Sequence, residues 1–365
     1  MKGNRVIFIK PDLFFLSMDI NERLNLIKQV GEEIISEEEL RKLLEEKKHP
    51  VAYDGFEPSG KIHIAQGILR AINVNKMTKA GCTFIFFVAD WHAWANNKMG
   101  GDLEKIQTAG KYFIEVWKAC GMDMKNVEFK WASDFVKDPE YWKLVMNIAR
   151  DNSVARIVRC AQIMGRSEKD ALQASQILYP CLQAADIFYM DVDICQLGMD
   201  QRKVNVLARE LAPKYGRKKP VIVNHHMLRG LIELTSTEKD AKERAIELKM
   251  SKSKPDTAIF MTDTEEDIKR KFAKAYCPEK QVKDNPILEY CMYIIFVKFK
   301  EIKVERPEKF KGNITYDSYE KLEKDFKDKK LHPMDLKQAL TKEIIKLLSK
   351  IDKKKLDDLA KKAYK

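Results

Sequence analysis

Five short β-rich runs, alternating with helix-length segments, constrain this chain more than any other feature. They are Val51–Glu57, Thr83–Asp90, Asn126–Asp134, Met190–Gly198 and Pro220–His225. Strands separated in this way predict βαβ units and a parallel sheet, an α/β fold of the Rossmann-like kind. In such sheets ligands sit at the carboxyl ends of the strands, near the switch in strand order. Ahead of the first run, Asp19–Lys48 reads as helical, with apolar positions at Leu24, Ile27, Val30 and Ile34. Within it, Ser36 and Glu39 have the spacing of a capping box, opening a second helix through Leu40, Leu43 and Leu44. After Phe260 helical segments dominate, broken by loops at Cys277-Pro278, Asn285-Pro286 and Lys311-Gly312-Asn313. The 365 residues suffice for two domains, expected at 1–262 and, mostly α-helical, at 263–365.

Composition narrows the classes. No apolar run approaches the roughly 20 residues needed to span a bilayer. Lys10-Pro11-Asp12 interrupts the apolar start, which argues against a secretory signal and leaves Met18 as an alternative start. Seven cysteines (82, 120, 160, 181, 195, 277 and 291) are odd in number and lack CxxC spacing. Free, mostly buried thiols in a reducing compartment are expected, with no zinc site. The net charge is +12, and residues 265–365 carry 27 Lys/Arg against 19 Asp/Glu. A basic C-terminal region suits an anionic partner, nucleic acid first, or equally a lysine-rich solvated helical surface.

Lys249-Met250-Ser251-Lys252-Ser253 packs two lysines and two serines around a methionine. Cations and hydroxyls at that density suit a polyphosphate whose charge rises in a transition state. A solvated basic loop has the same composition. A second element lies 186 residues upstream, Gly55-Phe56-Glu57-Pro58-Ser59-Gly60-Lys61-Ile62-His63-Ile64-Ala65-Gln66-Gly67. There a strand and a Pro58-Ser59-Gly60 turn would deliver His63 to the start of a helix, where N–H groups and the dipole favour phosphate. A lone His is also often structural. Gly198-Met199-Asp200-Gln201 follows another strand, and Asp200 is either a turn-former beside glycine or an acceptor for ribose hydroxyls.

In Tyr179-Pro180-Cys181-Leu182-Gln183-Ala184-Ala185-Asp186, Pro180 suits the first turn of a helix. Positions 179, 183 and 186 are then spaced by four and three, so their polar side chains share a face. An Asp among Ala and Leu is costly to bury without a partner. A structural hydrogen bond would satisfy it, and so would a ligand.

The 249–253 and 55–67 segments together resemble the two ATP-binding motifs of class I aminoacyl-tRNA synthetases. The residues around them resemble tyrosyl-tRNA synthetase of the archaeal and eukaryotic kind, from about Val51 onward. The resemblance implies that Lys249 and Lys252, with Ser251, stabilise the leaving pyrophosphate, and that Met250 lies near the adenine. His63 and Gln66 would meet ATP and Asp200 its ribose. Ala65 and Gln66 stand where the family usually has glycine and a second histidine. Asp186 and Tyr53 match the pair at the substrate's phenolic OH, while Tyr179, Gln183 and Gln201 match groups around its α-amino end. His92 would be pocket wall.

In the C-terminal region, Arg306-Pro307-Glu308-Lys309-Phe310 and His332-Pro333-Met334-Asp335-Leu336 resemble segments of the family's anticodon-binding domain. Phe310 would stack on the first anticodon base and Asp335 accept from its edge, with His332 close by. Without the resemblance, Phe310 is a core residue and Asp335 a helix cap. Arg156, Arg159, Arg202 and Lys203 match cations that approach the acceptor stem. The implied reaction joins L-tyrosine to tRNA(Tyr) with ATP as co-substrate and Mg2+ carried by ATP, in a cytoplasmic homodimer without membrane contact. Tryptophanyl-tRNA synthetase shares the architecture but has no phenol to recognise, so Tyr53, Gln183 and Asp186 favour tyrosine. A nucleotidyltransferase leaves residues 265–365 unexplained. A non-catalytic RNA-binding or signalling protein is a third reading, and Glu39-Leu40-Arg41 resembles the ELR element of some cytokines.

Overall fold

The computed structural model describes residues 18–161, 172–233, 250, 255–310 and 312–364. Its centre is a six-stranded sheet in the order β1-β6-β5-β2-β3-β4. The strands are β1 (Gly31–Ile35), β2 (Val51–Phe56), β3 (Thr83–Val88), β4 (Val127–Trp131), β5 (Ile194–Cys195) and β6 (Val221–His225). β2 to β6 are mutually parallel, as the alternation of strands and helices predicts, and β1 pairs antiparallel with β6. β2, β3 and β4 step outward in one direction, then β5 returns to the other side of β2. That reversal opens a crevice at the carboxyl ends of β2 and β5, the place where such sheets bind ligands.

Alternation along the strands sorts side chains to two faces. Ala52, Phe56, Phe84, Phe86 and Val88 join one buried apolar cluster, and Tyr53, Ile85, Phe87 and Cys195 the other. The first cluster continues through Ile268, Phe272, Leu340 and Ala360 of the C-terminal helices. All seven cysteines are free and buried, as their spacing predicts.

The helices of the first part are α1 (Ile20–Lys28), α2 (Glu37–Glu46), α3 (Arg70–Lys79), α4 (Asp90–Ala95), α5 (Leu103–Ala119) and α6 (Ala132–Phe135). There follow α7 (Pro139–Arg150), α8 (Val154–Cys160), α9 (Ala174–Tyr189) and α10 (Arg202–Leu211). Ser36 caps α2 as its spacing predicts, accepting from the Glu39 N–H, while the Glu39 carboxylate accepts from the Ser36 N–H.

Three local expectations are corrected. The helical reading of Asp19–Lys48 missed β1: Gly31–Ile35 pairs with the β6 edge, and edge pairing outweighs the helical spacing of Val30 and Ile34. The run Met190–Gly198 contains only a two-residue strand, because α9 continues to Tyr189 and the chain turns at Asp191 with φ 51°. Pro180 lies inside α9, which starts at Ala174 behind a Gln173/Gln176 capping box, rather than in a first turn.

C-terminal to the sheet, helices span Glu265–Lys274, Pro286–Tyr290, Tyr319–Lys327, Pro333–Leu348 and Lys353–Tyr364. A two-stranded antiparallel ribbon, β7 (Ile302–Val304) with β8 (Ile314–Tyr316), interrupts them and had no clear sequence signal.

Candidate active site

A cavity of about 340 Å³ opens at the carboxyl ends of β2 and β5. It gathers Tyr53, His63, Gln66, Tyr179, Gln183, Asp186, Asp200, Gln201 and Met250, every described residue expected at the catalytic, tyrosine or nucleotide sites. Lys249, Ser251 and Lys252 lie outside the described residues.

The deep end is built on β2 and α9. Tyr179, Gln183 and Asp186 fall on one face of α9, and all three are buried. Asp186 is 1 % exposed, yet both its oxygens have company. The Tyr141 hydroxyl on α7 donates to Oδ1 at 2.7 Å, and Nε2 of His92 stands 2.9 Å from Oδ2. Burial opposes charge on His92, but Asp186 outweighs it and raises the imidazole's pKa. The ring of His92 is fixed edge-on between Phe87 and Tyr179, at 5.7 and 5.1 Å. His92 therefore is pocket wall, and it also partners Asp186.

Tyr53 projects from β2 toward the same carboxylate and hydrogen-bonds Gln183; burial, then Cys195 and Asp186, push its pKa well above the ordinary phenol value. Gln183 in turn donates to Gln201 at 3.2 Å, joining the strand, α9 and the turn after β5. Tyr179 hydrogen-bonds Glu57, and burial followed by that carboxylate raises its pKa well above the ordinary value. Glu57 is itself held by Asn96 at 3.0 Å and faces Lys98 at 3.5 Å. The result is a ring of oriented polar groups around a slot walled by Phe87, Ala89 and His92.

The shallow end is assembled from more distant segments. His63 bridges to Phe260, and the neighbouring Ile64 N–H donates to Ile259 O at 2.8 Å, while the Met261 N–H donates to Ile62 O at 3.0 Å. This pairing ties Ile62–Ile64 to Ile259–Met261. Ala65–Leu69 then forms a π-turn, with Gly67 so close to Met261 that a Cβ would lie 2.7 Å from its Sδ. Such turns recur at functional sites because they re-aim side chains. Here one brings Gln66 to the cavity, where its buried Oε1 accepts from no group among the described residues. Asp200 and Gln201 reach the cavity on the turn Met199–Gln201. Met227, Leu228 and Met250 add an apolar wall.

Sequence reasoning missed an ion pair here: buried Asp54 on β2 with half-buried Arg70 at the start of α3, both lining the cavity. Burial first, opposed by Arg70 and assisted by Asp200, raises the Asp54 pKa to about 6. An Asp in the middle of a β-rich run was the available signal. Tyr141 left none, because it reaches Asp186 across 45 residues of chain.

Away from the cavity, His332 rather than Asp335 caps the helix Pro333–Leu348, accepting from the Met334 N–H at 3.2 Å; Asp335 sits in its first turn. Arg306 donates to Gly312 O and to Lys330 O, both at 2.9 Å, and so holds the loop around Phe310 next to the one before His332. The backbone of Phe310 forms a 3-10 turn with Glu308 and Lys309. Arg202 pairs with Glu33 at 2.7 Å, Arg156 with Glu210, and Lys203 donates to Arg159 O.

Fold and cavity define a class, and comparison with known proteins supplies it. The chain belongs to the family of tRNA synthetases class I (W and Y), matched over residues 45–349. Among its relatives at 40% identity or more are archaeal and eukaryotic tyrosine–tRNA ligases. It is 53% identical over 354 residues to tyrosine–tRNA ligase 1, cytoplasmic, of Arabidopsis thaliana, covering 96% of this chain and 89% of that protein. It is 42% identical to the tyrosine–tRNA ligase of Aeropyrum pernix, covering 94% and 96%. The crystal structure of tyrosyl-tRNA synthetase complexed with L-tyrosine from Pyrococcus horikoshii matches with a TM-score of 0.87 at 40% identity, covering 95% of this chain and 99% of that one.

Proposed function

We propose that the chain is a tyrosine–tRNA ligase that activates L-tyrosine with ATP, releases pyrophosphate, and transfers tyrosine to the 3′ end of tRNA(Tyr). The observation that carries the specificity is Asp186. It is buried at the closed end of the cavity, oriented by Tyr141 and His92, with Tyr53 beside it. A phenol entering this slot finds an acceptor in Asp186 and a hydroxyl in Tyr53. A phenyl ring offers neither of them a further hydrogen bond and shuts out the water that would, at a cost of about 1–3 kcal/mol for each buried polar group. Tyr179, Gln183 and Gln201, with Glu57 behind them, receive the α-amino end.

The carboxylate then points toward the shallow end, where His63, Gln66, Asp200 and Met250 take the nucleotide. Holding both reactants in one cavity supplies most of what adenylate formation needs, apart from charge stabilisation on the leaving pyrophosphate. We assign that charge to Lys249 and Lys252 with Ser251. Mg2+ enters on the phosphates of ATP; among the described residues no three His, Cys, Asp or Glu side chains gather to hold a metal.

Residues 1–262 form the catalytic domain in this reading and 263–365 the anticodon-binding domain, with Phe310 stacking and His332 and Asp335 reading the base edge. A homodimer is supported by an apolar surface in which Trp94 contacts Trp91 at 5.2 Å and Trp91 contacts Trp142 at 6.4 Å. Trp94 is 44% exposed there. We place the protein in the cytoplasm; no helix among the described residues is long and apolar enough to cross a membrane.

Amino-acid-dependent ATP–pyrophosphate exchange tests the reading. Exchange with tyrosine alone, lost in Asp186→Ala, supports it. Exchange with tryptophan, or with none of tyrosine, phenylalanine and tryptophan, sinks it.

A further inference from the structure

One wall of the cavity hangs on a single imidazole. His226 follows β6 directly and, with Met227 and Leu228, lines the cavity. Its Nδ1 lies 3.2 Å from Glu32 on β1, and its Nε2 lies 3.0 Å from Glu289 in the helix Pro286–Tyr290. Two carboxylates on two ring nitrogens require two N–H donors, which only the imidazolium provides. The ring also stacks on Tyr293, with centroids 4.4 Å apart and planes 9° apart.

Arg229, on the same loop, binds Glu289 at 2.6 Å and Asp284 at 2.5 Å, and its N–H donates to Glu289 at 3.1 Å. Among the described residues, Glu32 and Glu289 face His226 directly, Arg229 and Asp284 extend the charged network beyond Glu289, and the Tyr293 phenol stacks on the ring. When His226 is charged, three carboxylates meet two cations; when it is neutral, they meet one. Burial opposes the charge on His226, but Glu289 and Glu32 outweigh it and raise the pKa to about 9.

The wall reaches the nucleotide side of the cavity. A Cβ on Gly198 would lie 2.4 Å from Met227 Sδ and 2.6 Å from Asp200 Oδ1, so Met227, Gly198 and Asp200 are packed without slack. A displacement of residues 226–228 is thus felt at Asp200.

Resting on the ATP-dependent activity proposed above, we infer that His226 is a positioning residue for the nucleotide. Its doubly bridged imidazolium ties the Met227–Leu228 wall to β1 and to the helix Pro286–Tyr290, and so sets ATP affinity without entering tyrosine recognition.

Pyrophosphate exchange on the full chain tests this, with KM for ATP and for tyrosine measured in wild type and His226→Gln from neutral pH upward. At neutral pH the variant's ATP KM is expected to exceed wild type by about tenfold, the loss of one charge-assisted interaction. That ratio falls toward one as the pH passes about 9, where the wild type loses the same charge. The tyrosine KM ratio stays near one throughout. A ratio near one at neutral pH, or a ratio that is the same at every pH, overturns the inference.

Glu32→Gln removes a partly exposed partner and keeps the test available if the histidine variant folds poorly. A smaller rise in ATP KM, with its inflection moved to lower pH, is expected, and an unmoved inflection counts against the inference. Absence of any tyrosine-dependent exchange in the wild type would defeat the functional reading instead. Binding of a fluorescent ATP analogue, compared between wild type and His226→Gln across the same pH range, would then decide the role of the wall.

Discussion

The two ends of the cavity are built by different means. The tyrosine end stands mainly on one strand and one helix: β2 supplies Tyr53, α9 supplies Tyr179, Gln183 and Asp186, and buried partners lock each of them. The nucleotide end is collected from the π-turn after His63, the turn Met199–Gln201, the loop after β6, and Met250. Selectivity for a phenol needs fixed groups in a dry slot, where an unmatched ligand neither bonds them nor admits water to do so. A nucleotide that must enter and whose pyrophosphate must leave suits walls drawn from separate segments that can move together without disturbing the tyrosine end.

The largest effect that would sharpen this contrast is Asp186→Ala. It removes the phenol acceptor and leaves Tyr141 and His92 without their partner, so kcat/KM for tyrosine is expected to fall on the order of 10³-fold in exchange kinetics. ATP KM should stay within about twofold if the two ends are independent. Tyr141→Phe is gentler, removing one hydroxyl behind the pocket: tyrosine KM rises about tenfold, and a parallel rise in ATP KM would break the separation.

The reverse probe is Gly198→Ala, whose methyl group must displace Met227 or Asp200. ATP KM is expected to rise about fivefold with tyrosine KM unmoved, since distant sites act additively.

His226 connects kinetics to stability. Its folded pKa of about 9 lies above the ordinary 6.5, so its stabilisation is complete below 6.5 and is lost as the pH rises through about 9. His226→Gln is therefore expected to destabilise the protein by at most roughly 3 kcal/mol at neutral pH and by little above the folded pKa, as read from denaturant unfolding at both ends of the window. Ser36→Ala is the smallest change, about 1 kcal/mol from a lost helix cap, with both KM values unaffected.

Legibility in the sequence followed the distance over which each feature is encoded. The face of α9 that carries Tyr179, Gln183 and Asp186 was readable because helical spacing is local, and this holds although the helix begins earlier than Pro180 suggested. The Ser36 cap was readable for the same reason. β1 was misread, because an edge strand depends on its neighbour: Gly31–Ile35 becomes extended through pairing with β6, some 190 residues away in the register Gly31 to His225. Asp54 and Arg70 were passed over as ordinary residues of a strand and a helix, and only the fold that brings them together makes them an ion pair.

By itself the sequence determined the alternating strands and helices of the parallel sheet and the face of α9 that carries Tyr179, Gln183 and Asp186. Those elements and that face follow from periodicities of two and 3.6 residues that every short segment carries, whereas the remaining cavity residues were reached through the family resemblance of segments 55–67 and 249–253. The tertiary structure alone decided which groups stand behind the ligand-facing ones: Tyr141 and His92 on Asp186, Glu57 on Tyr179, Glu32 and Glu289 on His226. Those partners come from other elements, and a hydrogen bond depends on a few tenths of an ångström between them, which no local pattern of residues encodes.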